Sequence, residues 1–119
     1  MIKRSEMQKI ASEYTDPKIG VLGSHSALEI MDGAKDEDFE TMVFCQKGRE
    51  VPYQRFSRIA DEIKIVNKFK DMASPVNQKI MRDENTIIVP HRSLTAYLGY
   101  DILENKLKVP IFGNRKLFQ

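Results

Sequence analysis

A single cysteine, Cys45, stands in the 119 residues. That excludes a disulfide scaffold and any zinc site built on clustered cysteines. Tryptophan is absent and aromatics make up 8% of the chain, which argues against a surface that stacks bases. Glycine and proline number 6 and 5, too few for a collagen-like or low-complexity chain. No apolar run exceeds four or five residues, so no segment is long enough to span a bilayer as a helix. The start, Met1-Ile2-Lys3-Arg4-Ser5-Glu6, has no apolar stretch behind its charges and does not read as a signal peptide. A cytoplasmic protein is expected. An excess of one charge is missing too. The 19 Lys and Arg are interspersed with 17 Asp and Glu, for a net +2, so no nucleic-acid footprint and no membrane attachment are expected.

What is present is a 41% hydrophobic chain of a length that fits one domain, residues 1–119, with a core of its own. Ser5 to Tyr14 reads as a helix, with Ser5 and Gln8 as a capping box and Met7, Ile10, Ala11 and Tyr14 at helical spacing. Asp16-Pro17 stops it. Lys18 to Leu22 is a buried-strand pattern, and Ala27, Leu28, Ile30, Met31 and Ala34 mark a second helix. Thr41 to Cys45 is a second strand. Gln46 to Phe56 reads as loop, punctuated by Gly48 and Pro52. Glu62 to Val66 is a third strand. Ser74-Pro75 is a cap followed by proline at the first helical position. Thr86 to Val89 is a fourth strand, Ser93 caps a short helix ended by Gly99, Asp101 to Leu107 forms another helical turn, and Val109 to Phe112 is a fifth strand. Helices alternating with short apolar strands predict an α/β fold: a Rossmann-like, three-layer domain with a mainly parallel sheet of about five strands.

Open parallel sheets bind ligands outside the carboxyl ends of their strands, where strand order reverses. In the simplest ordering that crevice lies between strands one and four. The segments leaving those strands are Gly23-Ser24-His25-Ser26 and Pro90-His91-Arg92-Ser93. Each leads to a helix N-terminus, whose free N–H groups and partial positive charge suit a phosphate. Ser24, Ser26, Ser93, His25 and His91 add donors, although each serine is equally a favoured helix cap. Lys47-Gly48-Arg49 follows strand two, where a dinucleotide-binding domain would carry an acid for the ribose. The basic turn and the single glycine of the first loop disfavour NAD or FAD and fit a phosphorylated small molecule. Cys45, inside a strand, reads as an inert core thiol. No metal-ligand spacing and no Walker A motif occur, so neither a metal ligand nor a catalytic residue is assigned.

Leu22-Gly23-Ser24-His25-Ser26, Gln46-Lys47-Gly48-Arg49-Glu50-Val51-Pro52-Tyr53, Val89-Pro90-His91-Arg92-Ser93 and Val109-Pro110-Ile111-Phe112-Gly113-Asn114-Arg115 together resemble the N-terminal domain of the archaeal FAICAR synthetases, formate-dependent ligases of the ATP-grasp superfamily. The likeness spans nearly the whole chain, with the four motifs collinear. It implies a pre-ATP-grasp substrate domain of an enzyme that joins formate to the amino group of AICAR through a formyl phosphate. ATP and Mg²⁺ are implied for the full-length enzyme, on its later domains, with none bound by this domain alone. The family's substrate contacts fall on His25 and Ser93. Ser24, Ser26, Lys47, Arg49 and His91 join them on loop position only. Arg92 stands where the family has a small residue, and either adds a phosphate contact or marks a paralogue with another substrate. The ATP-grasp portion is expected in the same or another chain. Leu117 and Phe118 are expected to seek that neighbour or a second copy, so a homo-oligomer is also expected. The alternative is a non-catalytic ligand-binding or assembly module for a phosphorylated small molecule.

Overall fold

The computed structural model describes residues 4–23, 26–90, 92–99 and 101–112, with backbone alone for Arg4, Arg92, Ser93, Thr95 and Glu104. Four parallel strands, β1 (Lys18–Leu22), β2 (Thr41–Gln46), β3 (Glu62–Val66) and β4 (Thr86–Ile88), form one sheet in the order β3-β2-β1-β4. The register sets Val21 beside Val43, Val43 beside Ile63 and Lys18 beside Thr86. Around the sheet lie α1 (Arg4–Ser12), α2 (Ala27–Asp36), α3 (Val51–Arg55), α4 (Pro75–Asp83) and α5 (Arg92–Leu98). A 3₁₀ turn, Phe69–Ala73, and a π-helical turn, Ile102–Lys106, complete the described elements.

Successive strand side chains point to opposite faces, and both faces are covered. Met42, Phe44, Leu22, Val66 and Ile88 pack with Phe69, Met72, Met81, Leu94 and Leu103. Ile19, Val21, Val43 and Cys45 pack on the other side with Ala27, Met31 and Tyr53. These are the three layers expected, and two-sided burial explains why β1 and β2 read as unbroken apolar runs.

The structure differs from the sequence expectation in four places. Val109–Phe112 is not a fifth strand but a single bridge between Ile111 and Ile88. Ile88 donates to the Pro110 carbonyl at 2.9 Å and Phe112 donates to Ile88 at 2.8 Å, and the ladder stops there because Pro110 has no N–H and β4 is three residues long. The supposed loop Gln46–Phe56 contains α3, whose Pro52 sits in the first turn, where a missing N–H costs nothing. α1 and α5 begin at Arg4 and Arg92, so Ser5 and Ser93 lie inside first turns rather than at caps. Ser74 does cap α4, accepting from the Asn77 N–H at 3.2 Å.

One buried polar side chain fastens the C-terminal segment to the core. Gln78 on α4 is 7% exposed. Its amide donates to the carbonyls of Ala73 at 2.7 Å and Lys106 at 3.0 Å, and its oxygen accepts from the Lys108 N–H at 2.9 Å. Gln78→Leu keeps the volume and strands all three backbone groups. It is expected to cost about 2 kcal/mol, since each buried group left without a partner costs ~1–3 kcal/mol less whatever water recovers. Urea unfolding measures this, and a wild-type midpoint would mean that the segment reaches water without Gln78.

Candidate functional site

The carboxyl ends of β4, β1 and β2 lie side by side, where the sequence reading places its crevice. β1 and β4 are adjacent, and Val89, just past β4, donates to the Gly20 carbonyl at 2.9 Å. The segments that leave β1 and β4 therefore start from neighbouring, hydrogen-bonded backbone, roughly one strand spacing of ~5 Å apart. Gly23 leaves β1 pressed against β2, donating to the Phe44 carbonyl at 2.7 Å. A Cβ there would stand 2.9 Å from that oxygen and 3.0 Å from the Cys45 Cβ, so the approach admits only glycine. The turn after β2 thus abuts the start of the first loop.

Ser26 occupies the N-cap position of α2, but its hydroxyl makes no capping bond. The first bond of the helix runs from the Ile30 N–H to the Ser26 carbonyl at 3.1 Å, which leaves the N–H groups of the first turn without intrahelical partners. With ten residues, α2 is the longer of the two helices that start at the crevice, and α5 has seven. The Lys47-Gly48-Arg49 turn is closed by the Arg49 N–H to the Gln46 carbonyl at 2.9 Å, with Gly48 at φ +92°. Lys47 donates its N–H to the Val66 carbonyl at 2.8 Å, rooting the turn on β3. Both Lys47 and Arg49 are exposed. Three of the expected site residues, Ser26, Lys47 and Arg49, thus sit on two neighbouring loops at the carboxyl pole. Ser93 lies in the first turn of α5 by its backbone, and Ser24, His25 and His91 lie outside the described residues.

Burial pushes the Cys45 thiol up, and the Glu50 charge adds to this, as befits an inert core residue and not a nucleophile. Sequence reasoning passed over Glu50, whose carboxylate accepts from the Gly48 N–H at 2.7 Å. A glutamate bonding two residues back has no sequence signature of the kind that aspartate and asparagine carry in turns.

Two open hollows lie at the opposite, amino-terminal pole. One, of about 580 Å³, is lined by Asp16, Lys18, Asp38, Glu40, Glu84 and neighbours. The other, of about 420 Å³, is lined by Tyr14, Arg82, Asn85 and Lys108 among others. In the first, Lys18 is hydrogen-bonded to Glu62 and Glu84 and lies 3.5 Å from Glu40. Burial alone would push the Lys18 ammonium down, but these bonds and charges hold it above its ordinary value. Burial would likewise raise Glu62, but the hydrogen bond from Lys18 and the nearby charges of Lys18 and Lys64 hold it below the ordinary carboxylate range. Carboxylates outnumber the one ammonium there, so that hollow repels a phosphorylated ligand. The carboxyl pole does not.

A family profile described as "Protein of unknown function (DUF1246)" matches residues 19–119. The chain is 47% identical over 120 residues to a 5-formaminoimidazole-4-carboxamide-1-(beta)-D-ribofuranosyl 5'-monophosphate synthetase of Methanobrevibacter smithii, covering 99% of this chain and 33% of that protein. It is 48% identical over the same span to the protein of that name from Methanothermobacter thermautotrophicus. The chain therefore spans about a third of the length of these relatives. Among solved structures it is similar to an IMP biosynthesis protein PurP from Thermococcus kodakaraensis, with a TM-score of 0.68 and 32% identity over 82% of this chain and 30% of that one.

Proposed function

The chain belongs to the DUF1246 family, and from that premise we propose that it is the N-terminal, substrate-binding part of a purine-biosynthesis ligase. The full-length enzyme joins formate to the amino group of AICAR at the expense of ATP, giving FAICAR on the way to IMP. The names of the similar synthetases support this reading. The observation that carries it is the adjacency of β1 and β4: their carboxyl ends open the two segments to which His25 and Ser93 belong. In this reading those two residues hold the AICAR ribonucleotide, Ser24, Ser26 and His91 line the same segments, and Lys47 and Arg49 reach its 5'-phosphate from the end of β2. The first-turn N–H groups of α2 add donors of fixed direction.

When bound, ATP with Mg²⁺ supplies the activation of formate as an acyl phosphate. Among the described residues no three His, Cys, Asp or Glu side chains gather where they could hold a cation, so those residues are assigned only the binding and orienting of the ribonucleotide. ATP and Mg²⁺ are assigned to an ATP-grasp portion, in the same or another chain. Self-association is part of the reading, on the strength of apolar Leu117 and Phe118. So is a cytoplasmic location. Among the described residues no helix is long and apolar enough to cross a membrane.

Titration calorimetry of the full-length polypeptide with AICAR tests the site. His25→Ala and Ser93→Ala are each expected to weaken binding by roughly 1–3 kcal/mol, because each leaves a polar group of the ligand without its partner. The melting temperature without ligand stays unchanged. Wild-type affinity in both variants would sink the assignment, and a collapse in stability of Ser93→Ala would make that serine a structural residue.

A further inference from the structure

In the turn after β2, Glu50 bonds back to the backbone of the turn itself. Glu50 stands at the N-cap of α3 yet makes no capping bond. Its carboxylate folds back to the Gly48 N–H instead, at 2.7 Å. It has two cations one and three residues away, Arg49 and Lys47, and among the described residues it forms an ion pair with neither. A half-buried carboxylate that passes over adjacent cations for one backbone N–H gives up Coulomb energy to fix a conformation. What it fixes is a turn with Gly48 in the left-handed region, closed across Gln46 and Arg49 and rooted on β3 through Lys47. The result is two exposed cations, without a counter-ion among the described residues, on a turn closed by three hydrogen bonds, one strand away from the Gly23 loop.

We propose that Glu50 is a positioning residue for the substrate's phosphate: by holding the Gly48 N–H it sets Lys47 and Arg49 as a fixed pair of donors facing the crevice. This rests on the ribonucleotide reading above and names the group that the β2 turn recognises. A turn whose backbone is already set loses less loop freedom on binding than a mobile one. Glu50 touches no ligand, and its own negative charge opposes phosphate binding. Charge and positioning therefore predict opposite signs for its removal.

The experiment compares AICAR with its riboside, which lacks the phosphate, by calorimetry on the full-length polypeptide. Glu50→Ala is expected to weaken AICAR about tenfold, the scale of one ordering hydrogen bond, and to leave the riboside unchanged, which also reports an intact fold. Glu50→Gln keeps an acceptor for the Gly48 N–H and loses the charge, so it is expected to bind AICAR as well as wild type or better. If Glu50→Ala and Glu50→Gln both tighten AICAR, the residue acts by charge alone and the proposal falls. It also falls if Glu50→Ala weakens both ligands alike or changes neither. The double variant Lys47→Ala/Arg49→Ala separates the two ideas. If it abolishes the preference for AICAR while Glu50→Ala leaves that preference at the wild-type value, the phosphate reading stands and the positioning role is wrong. Should wild type fail to prefer AICAR over the riboside, both are wrong.

Discussion

The 119-residue chain mixed with ATP, Mg²⁺, formate and AICAR is expected to release no ADP above background, while the full-length enzyme turns over. Activating formate requires a triphosphate held with its metal for in-line transfer, and a metal so held requires converging carboxylates. Several of the described carboxylates are committed elsewhere. Asp61 accepts from Lys35 at 2.7 Å and from the Thr41 N–H at 2.9 Å. Asp83 pairs with Lys79 at 2.7 Å, Glu6 with Lys108 at 3.1 Å, and Asp101 accepts from Asn105 at 2.8 Å. Glu40, Glu62 and Glu84 each reach the Lys18 ammonium, which ties them at the pole away from the strands' carboxyl ends. Binding of AICAR by the isolated chain is expected to be weak but measurable, since in the proposed reading it carries one wall of the site. Formate-dependent ADP release by the chain alone, at the rate of the full-length enzyme, would overturn the division of labour proposed here. AICAR binding with no turnover in the full-length polypeptide would favour the ligand-binding module instead.

Lys18→Met is expected to lower stability at neutral pH by about 3 kcal/mol. Breaking a buried ion pair from one side costs ~3–5 kcal/mol because it strands the other charge. The lower end applies because Glu62 and Glu84 retain 27% and 29% of their side-chain exposure and Glu40 is largely solvated. The loss should depend on pH. Glu62 is held below its ordinary value of 4.5. Asp61 is held below 3.8, since burial would raise it but its bonds to Lys35 and Thr41 prevail. Groups with depressed values stabilise the fold above their unfolded pKa and lose that contribution as pH falls through the folded one. Wild type should therefore weaken below about pH 4. Lys18 is raised above 10.5, so its share persists through neutral pH and fades only in strong alkali. As pH falls through the depressed folded value of Glu62, wild type loses that share of the Lys18 bond, so the difference between variant and wild type should shrink in acid. Urea unfolding at pH 7 and pH 3 checks both points. An equal difference at the two pH values would assign the loss to packing of the lysine stem and not to its charge.

Much of this fold was legible because its signals are local. The apolar runs of β1 and β2 announce two-sided burial, and Ser74-Pro75 announces the start of α4. The errors came where a local signal had two meanings. Pro52 reads as loop punctuation but sits in the first turn of α3, and the apolar Val109–Phe112 reads as a strand until Pro110 and the shortness of β4 limit it to one bridge. The candidate site is a reading of loops at strand ends, and it is the strand order that places those loops side by side. What stayed hidden is set by distance along the chain. Lys18 meets partners 44 and 66 residues away, and no spacing rule foretells that. Glu50 was hidden at close range, since only the backbone geometry at Gly48 gives its carboxylate an acceptor's role.

The separation of charge between the two poles makes the molecule an oriented object for anything arriving from solution. Lys47, Arg49 and Lys68 are exposed around the carboxyl ends of β2 and β3, and Asp16, Asp38 and Glu40 are exposed at the amino end. In the proposed reading, a phosphorylated ligand is drawn more to the side of Lys47 and Arg49 than to that of Asp16, Asp38 and Glu40. Its encounters are thereby biased toward the crevice before any contact forms. Such guidance acts over about one Debye length, ~8 Å at physiological salt, so it speeds arrival more than it slows departure. Raising the ionic strength would then slow capture of the ribonucleotide while leaving its residence time nearly the same.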